Sequence, residues 1–404
     1  MIVASINTWI TGSTGHIMRG ISDITRQLGG NTYVFSKAWV NQNYDGLVNH
    51  EVIGDYFFNR VHIKLAQCTG FHGYFSILST LKLNRRLDKI QPDIVHLHNI
   101  HDWYLNFPLF FRYIKKRNIS VVWTLHDCWA FTGQCPCFDM VGCNKWKTGC
   151  YDCPQFREYP KSYVDQTRIM YRLKKKWFTG VQNMTIVTPS QWLAELVKQT
   201  YLKDYPVKVI NNGIDLSIFK PVPSDFREKY RIAQDNYIVL GVAYDWGKRK
   251  GLDVFIDLSK KLDGRFKIVL VGTDDNTDEQ LPNNIISIHR TQNQAELAEI
   301  YSAANVFVNP TREENFPTVN IESIACGTPV VTFNTGGSPE ILDQTCGSVV
   351  DCDDVDAMEQ EIIRVATNKP YSKDACLVRA VKFDMNDKFM EYVKLYEQNQ
   401  QRKF

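Results

Sequence analysis

Two glutamates, Glu314 and Glu322, stand eight positions apart in TREENFPTVNIESIACGTPVV (311–331), just after VFVNP, an apolar run that reads as the end of a strand. If the residues between them are helical, eight positions span about 12 Å along the axis. Carboxylates so spaced could grip opposite ends of one elongated ligand, because ionised acceptors make the stronger hydrogen bonds to hydroxyls. Pro317 suits a first helical turn, and free amides at a helix start, with the positive end of its dipole, suit phosphate oxygens. Two glutamates on a helix are also what an ordinary solvated face looks like. A second stretch, GVAYDWGKRKGLDVF (241–255), follows a strand and opens a helix. Arg249 and Lys250 at that junction could clamp a diphosphate, the first through its planar fork and the second as a point charge. Without further context, two cations before a glycine are simply a loop.

Weaker signals lie in the first half. In STGHIMRGI (13–21), Gly15 permits close backbone approach ahead of a helix N-terminus, but only Gly12 and Gly15 precede that helix, which is not the dinucleotide fingerprint. TLHDCW (124–129) delivers His126 and Asp127 at the end of a strand. In VHLHNIH, His96 and His98 share one strand face and, with His101, have no cysteine or acid at ligand spacing, which favours buried or acceptor-side histidines over a metal site. The stretch CPCFDMVGCNKWKTGCYDC (135–153) holds five cysteines. Cys150 and Cys153 have knuckle spacing, and Cys143 with Cys135 or Cys137 could complete four zinc ligands. Four cysteine ligands leave no open position, so such a zinc would be structural; free thiols are the other reading. RIMYRLKKKWF (168–178) interleaves cations with apolar residues, a pattern that fits either a membrane interface or a helix packing its apolar stripe inward.

Short β-rich runs alternating with helical spacing must position these groups, and they predict parallel sheets with crossover helices. Strands are expected at 2–6, 31–35, 93–97, 120–125 and 184–188, then at 207–210, 238–242, 267–271, 285–288, 306–309 and 330–333. Helices are expected at 16–28, 105–118, 166–180, 191–200 with Ser190 as N-cap, 353–366 and 384–399. The expected division is a first Rossmann-like domain over 1–205 with a cysteine-rich insertion near 133–155, a second over 206–383, and a C-terminal helix over 384–404 that packs back on the first domain. Ligands are expected at the carboxyl ends of the strands, in the cleft between the domains.

Composition sets outer bounds. With 404 residues, 44% hydrophobic and 23% charged, the chain is ordinary globular material for two domains. No secretion signal or membrane-spanning run is read, so a cytoplasmic chain is expected, peripheral on the inner face of the plasma membrane at most. Residues 1–200 carry 23 Lys and Arg against 13 Asp and Glu, and the acidic excess lies in the remainder. A basic half suits phosphate, an anionic membrane or nucleic acid. The sequence shows no helix-turn-helix, zinc-finger or RNA-stacking motif, so no nucleic-acid partner is expected.

EENFPTVNIE, continuing into SIACGTPVV and NTGGSPEIL, resembles the Glu, seven residues, Glu motif of glycosyltransferase family 4, and the similarity runs through nearly the whole chain. The resemblance implies the GT-B fold, two doubly wound Rossmann-like domains facing a cleft, the first (1–205) binding the acceptor and the second (206–383) the nucleotide-sugar. It also implies retaining transfer from a UDP- or GDP-sugar to a glycan or lipid-linked acceptor in bacterial surface polysaccharide or lipopolysaccharide synthesis. By the same resemblance Glu314 contacts the donor sugar, Glu322 the ribose, Arg249 and Lys250 the diphosphate, and His126 the sugar. Asn315, Phe316, Pro317, Thr318, Gly15 and Gly241 complete the expected donor-binding set, with no metal required for catalysis. Many members have glycine at the positions of Asn315 and Pro317, which alters the loop's amide contacts. Rival readings are a nucleotide-sugar hydrolase or epimerase on the same frame, or a non-catalytic binding protein.

Overall fold

In the computed structural model, which describes residues 1–39 and 48–401, the apolar runs form two all-parallel sheets. The first contains β1 (Ile2–Asn7), β2 (Asn31–Lys37), β3 (His50–Ile53), β4 (Ile94–Leu97), β5 (Ser120–Thr124), β6 (Met184–Thr188) and β7 (Val207–Val209), in the order β3-β2-β1-β4-β5-β6-β7. The second contains β8 (Tyr237–Val242), β9 (Phe266–Val271), β10 (Ile285–Ile288), β11 (Val306–Asn309), β12 (Val330–Phe333) and β13 (Gly347–Val350), in the order β10-β9-β8-β11-β12-β13. Helices cover both faces of a parallel sheet, which is why β4, β5, β6, β11 and β12 are buried at every position instead of alternating. Each sheet reverses its strand order once, between β1 and β4 and between β8 and β11, and such reversals are where open α/β sheets bind ligands.

The chain divides into a unit of Met1–Asn211 with Asn386–Phe404 and a unit of Asn212–Met385. The run 207–210, expected to begin the second sheet, instead closes the first as β7: Ile186 of β6 aligns with Val207. The helix Met385–Gln401 contributes to the first unit. There Tyr396 bonds His96 Nδ1 at 2.6 Å, and Phe389 lies so close to Gly20 that a Cβ on that residue would overlap its ring. His96 is thereby a fully buried packing residue, satisfied also by Thr124 Oγ1 at 2.8 Å.

Ser190 caps the helix Gln191–Val197 as expected, accepting from the Leu193 amide at 3.1 Å. The helix Thr167–Phe178 turns its apolar stripe inward: Met170, Tyr171, Trp177 and Phe178 are buried, and Lys174 is buried over the Trp129 ring at 3.6 Å. Most of that stripe is spent on the core, and Ile169 remains exposed. Two helices absent from the sequence expectation, Tyr56–Thr69 and Ile77–Ile90, and two edge strands, β3 and β13, complete the units. Apolar residues do not mark the buried face of Tyr56–Thr69, and in Ile77–Ile90 they lie on both faces.

Candidate functional site

Lys250 and Glu314 are 64 residues apart in sequence and in contact in space, Nζ to Oε2 at 2.5 Å. Topology explains the meeting. Lys250 follows β8, Glu314 follows β11, and these two strands pair in parallel across the reversal of the second sheet, Val306 with Val239 and Phe307 with Leu240. Two glycines let the loops close on each other. Gly251 has φ +76° and lies so near Pro310 that a Cβ would overlap its carbonyl; Gly336 has φ +55° and stands in the same relation to the Glu314 carbonyl.

Both partners of the ion pair have side chains only 20% exposed, so the pair is shielded from water yet reachable. Burial by itself would raise the Glu314 carboxyl. The Lys250 ammonium, the Asn315 amide at 3.1 Å and the Arg249 guanidinium more than offset it and hold the group below the usual carboxylate range. The carboxylate is therefore ionised and fixed beside two cations, an arrangement that can exchange one internal contact for phosphate and hydroxyl contacts of a ligand.

Arg312, to which the sequence reading gave no role, is the brace of this site. Its guanidinium holds Asp253 at 2.8 and 2.9 Å, Asp353 at 2.6 Å and the Lys248 carbonyl at 2.5 Å, while its amide bonds the Arg249 carbonyl at 2.9 Å. It ties the 248–250 turn to the 311–315 loop and acts as a positioning residue. Only the motif TREEN marked it, and nothing in the spacing distinguished it from a surface cation. Arg312→Ala is expected to lower turnover at least about tenfold through a looser Lys250, and to cost roughly 1–3 kcal/mol in denaturant unfolding. An unchanged rate in a destabilised variant would reduce Arg312 to a purely structural brace.

Glu322 lies inside the helix Thr318–Ala325, and Pro317, expected in its first turn, is the N-cap. Glu314 therefore precedes the helix, and the 12 Å helical separation does not apply. Burial pushes the Glu322 carboxyl up to about 7, against the opposing hydrogen bonds from Thr318 and from the Tyr301 hydroxyl, the latter at 3.2 Å. A carboxyl raised from 4.5 to about 7 by folding adds stability below pH 4.5 that is lost as pH rises through 7. Glu322→Gln, which keeps an acceptor for Tyr301, is expected to be more stable than the parent at pH 8 by on the order of 2 kcal/mol, with little difference at pH 4. Thermal melts at the two pH values measure this, and parallel pH profiles would mean an ordinary carboxyl.

The remaining expected donor contacts separate. Asn315 and Thr318 stay at the site, bonded to Glu314 and Glu322 respectively. Phe316 does not present its ring: it is 3% exposed and packs against Phe383. Gly241 sits within β8, where a Cβ would overlap Phe255 and Leu270, so its smallness serves helix-to-sheet packing.

At the reversal of the first sheet, the Asn7 side chain donates to Trp9 O at 2.8 Å and accepts from the Asn99 amide at 3.1 Å, joining the ends of β1 and β4. Gly15 allows the helix Gly12–Gln27 to approach the Ile10 backbone, where a Cβ would overlap. His126, after β5, contacts His98 Nδ1 through Nε2 at 3.1 Å. Burial lowers its pKa to about 4 despite Asp127, which makes it a neutral hydrogen-bonding group at physiological pH. Asp127 in turn holds His101 at 3.1 Å, and Tyr159 bridges His101 at 3.0 Å and Asp102 at 2.5 Å.

The cysteine-rich segment belongs to the first unit. Cys135 and Cys153 are hydrogen-bonded, and the Cys150 sulfur accepts the Gly133 amide at 3.0 Å. Among the described residues, no three of the histidines, cysteines or carboxylates are grouped so as to hold a metal ion.

Comparison with known proteins agrees with this fold. Residues 29–218 match the family described as Glycosyltransferase Family 4, and residues 235–368 match Glycosyl transferases group 1. WcaC of Escherichia coli strain K12, named as a colanic acid biosynthesis glycosyl transferase, is 25% identical over 295 residues, covering 69% of this chain and 67% of its own. Sucrose-phosphate synthase from Thermosynechococcus elongatus shares the fold at a TM-score of 0.72 and 18% identity, covering 98% of each chain. HepE of Anabaena, solved with UDP and glucose, does so at 0.69 and 15%, covering 98% of this chain and 100% of its own. The architecture is thus GT-B.

Proposed function

We propose, from the premise that this chain belongs to the family 4 and group 1 glycosyltransferases, that it moves a sugar from a nucleotide diphosphate carrier to a hydroxyl of a glycan or lipid-linked acceptor, with retention at the anomeric carbon. The observation that carries the reading is the shielded contact of Lys250 with Glu314 at the strand reversal, an anion-gripping cation fixed beside a hydroxyl-gripping carboxylate. The second unit holds the donor. Arg249, Lys250 and the free amides at the start of the helix Thr318–Ala325 bind the diphosphate, Glu314 the sugar hydroxyls and Glu322 the ribose. His126 of the first unit is a neutral hydrogen-bonding group, and that unit receives the acceptor.

The transfer breaks the bond between the anomeric carbon and the phosphate oxygen and forms one to the acceptor oxygen on the same face. The departing phosphate oxygen takes the acceptor's proton, and the cationic pair stabilises the charge that grows there. Because these side chains supply positive charge where a divalent ion otherwise would, turnover is expected to persist in excess EDTA. Loss of activity there without unfolding would contradict that role. The kinship with WcaC supports a place in bacterial surface polysaccharide synthesis.

A thermal-shift screen against UDP-, GDP- and ADP-sugars tests the donor, since a ligand bound only by the folded state raises its melting temperature. One of these carriers is expected to give a clear upward shift, and an extended acceptor is the expected product. Free sugar or an isomerised donor as the main product would favour a hydrolase or epimerase instead.

A further inference from the structure

The helix Tyr56–Thr69 is built inside out. Its buried positions are Asn59, His62 and Ala66, whereas Phe57 is 68% exposed, Phe58 54%, and Val61 and Leu65 face solvent with them. At 3.6 residues per turn, Phe57, Phe58, Val61 and Leu65 form one stripe, and Arg60 and Lys64 run along its edge. The first turns of the helix Ile77–Ile90 repeat the pattern: Ser79 and Thr80 are buried, and Ile77, Leu78 and Leu81 are exposed beside Lys82 and Arg85. Polar groups join the two helices on their inner side, His62 Nδ1 to Ser76 Oγ at 2.6 Å, with Gly54 packed between Ser79 and Asn59. A soluble surface gains nothing from presenting its apolar side chains and burying its polar ones, and exposed apolar stripes of this kind mark an interaction site.

Charge selects the occupant. From residue 56 to residue 87 there is no Asp or Glu, and among the described residues no carboxylate pairs with Arg60, Lys64, Lys82 or Arg85. A second copy docked through a twofold would bring this patch against itself and set like charges together. An anionic lipid surface satisfies both features at once, with aromatic and aliphatic side chains entering the headgroup boundary and the cations meeting lipid phosphates. We infer that the outer faces of the helices Tyr56–Thr69 and Ile77–Ile90 dock this protein on an anionic membrane surface.

The test is flotation of the full chain with vesicles of phosphatidylethanolamine containing 30% phosphatidylglycerol, compared with pure phosphatidylcholine. The protein is expected to float with the anionic vesicles and to be released by high salt. The variant F57S/F58S is expected to lose at least about tenfold in partitioning, and R60E/K64E roughly 20-fold or more, since each cation near such a surface contributes about a factor of five. All four side chains are exposed, so nucleotide-sugar thermal shifts are expected to be unchanged, which separates this outcome from failure of the transferase reading. Absence of flotation, flotation equal on both lipids, parent-like flotation of both variants, or a self-association abolished by F57S/F58S without lipid binding would each overturn the inference.

Discussion

Lys250→Ala is expected to lower kcat about 10²–10³-fold, the usual effect of removing one preorganised group aimed at charge that develops in the transition state. In the proposed reaction Lys250 meets the growing charge of the departing diphosphate while Arg249 and the helix amides keep the ground-state donor, so the loss is expected on kcat. The same change strands Glu314. Its carboxylate, only a fifth exposed and now without its main partner, is expected to titrate higher than in the parent, and unfolding is expected to become easier by roughly 1–3 kcal/mol. Lys250→Arg separates charge from shape: it keeps the cation but replaces a point charge by a planar fork, and partial activity is expected. Full kcat in the alanine variant would place the leaving-group contact elsewhere.

Glu314→Gln is the second large effect, about 10²–10³-fold in kcat/KM, because an amide is a weaker acceptor for sugar hydroxyls and no longer fixes Lys250 as a counter-charge. Its pH signature runs opposite to that of Glu322→Gln. The folded pKa of Glu314 lies below its ordinary 4.5, so its contribution to stability is present above that value and is lost as pH falls through the folded pKa. The parent is therefore expected to lose stability relative to Glu314→Gln on acidification below pH 4.5, whereas Glu322 costs the parent stability on the alkaline side. Because Lys250 and Glu314 touch, the double variant is expected to be less impaired than the two single losses combined; additive losses would show that they act apart.

Much of this was readable from residue pattern alone, and the exceptions have physical causes. Strands buried on both faces read as unbroken apolar runs, which is why β4, β5, β8, β9 and β11 stood out. The edge strand β3, with the pattern HEVI, and β13, with GSVV, lacked that signature because edges are only half covered. The run at 207–210 was legible as a strand but not as a member of the first sheet, since pairing is decided by tertiary packing and leaves no local mark. Motif and position single out Glu314, Lys250 and Glu322, and the structure brings the first two into contact, whereas Arg312 became visible only when the two loops were seen to share it. Phe316 and Gly241 lie in the same motifs yet serve the core, which shows that motif membership does not by itself assign a residue to the ligand.

The helices Tyr56–Thr69 and Ile77–Ile90 illustrate the opposite failure. Sequence reading assumes that apolar stripes face inward, whereas Tyr56–Thr69 turns its stripe out and Ile77–Ile90 buries Leu83, Leu87 and Ile90 but exposes Ile77, Leu78 and Leu81, so their apolar spacing gave no correct burial pattern. The helix Thr167–Phe178, with a similar mixture of cations and aromatics, obeys the ordinary rule and buries its stripe. Composition is shared by the two cases, and only the three-dimensional partner distinguishes them.

One constellation in the second unit is central, and a structure of the protein with the nucleoside diphosphate selected by the donor screen tests it most directly. Diphosphate oxygens are expected within hydrogen-bonding distance of Lys250 Nζ and the Arg249 guanidinium, with the ribose hydroxyls on Glu322. A nucleotide bound away from the ends of β8 and β11, leaving the contact of Lys250 with Glu314 untouched, would contradict it.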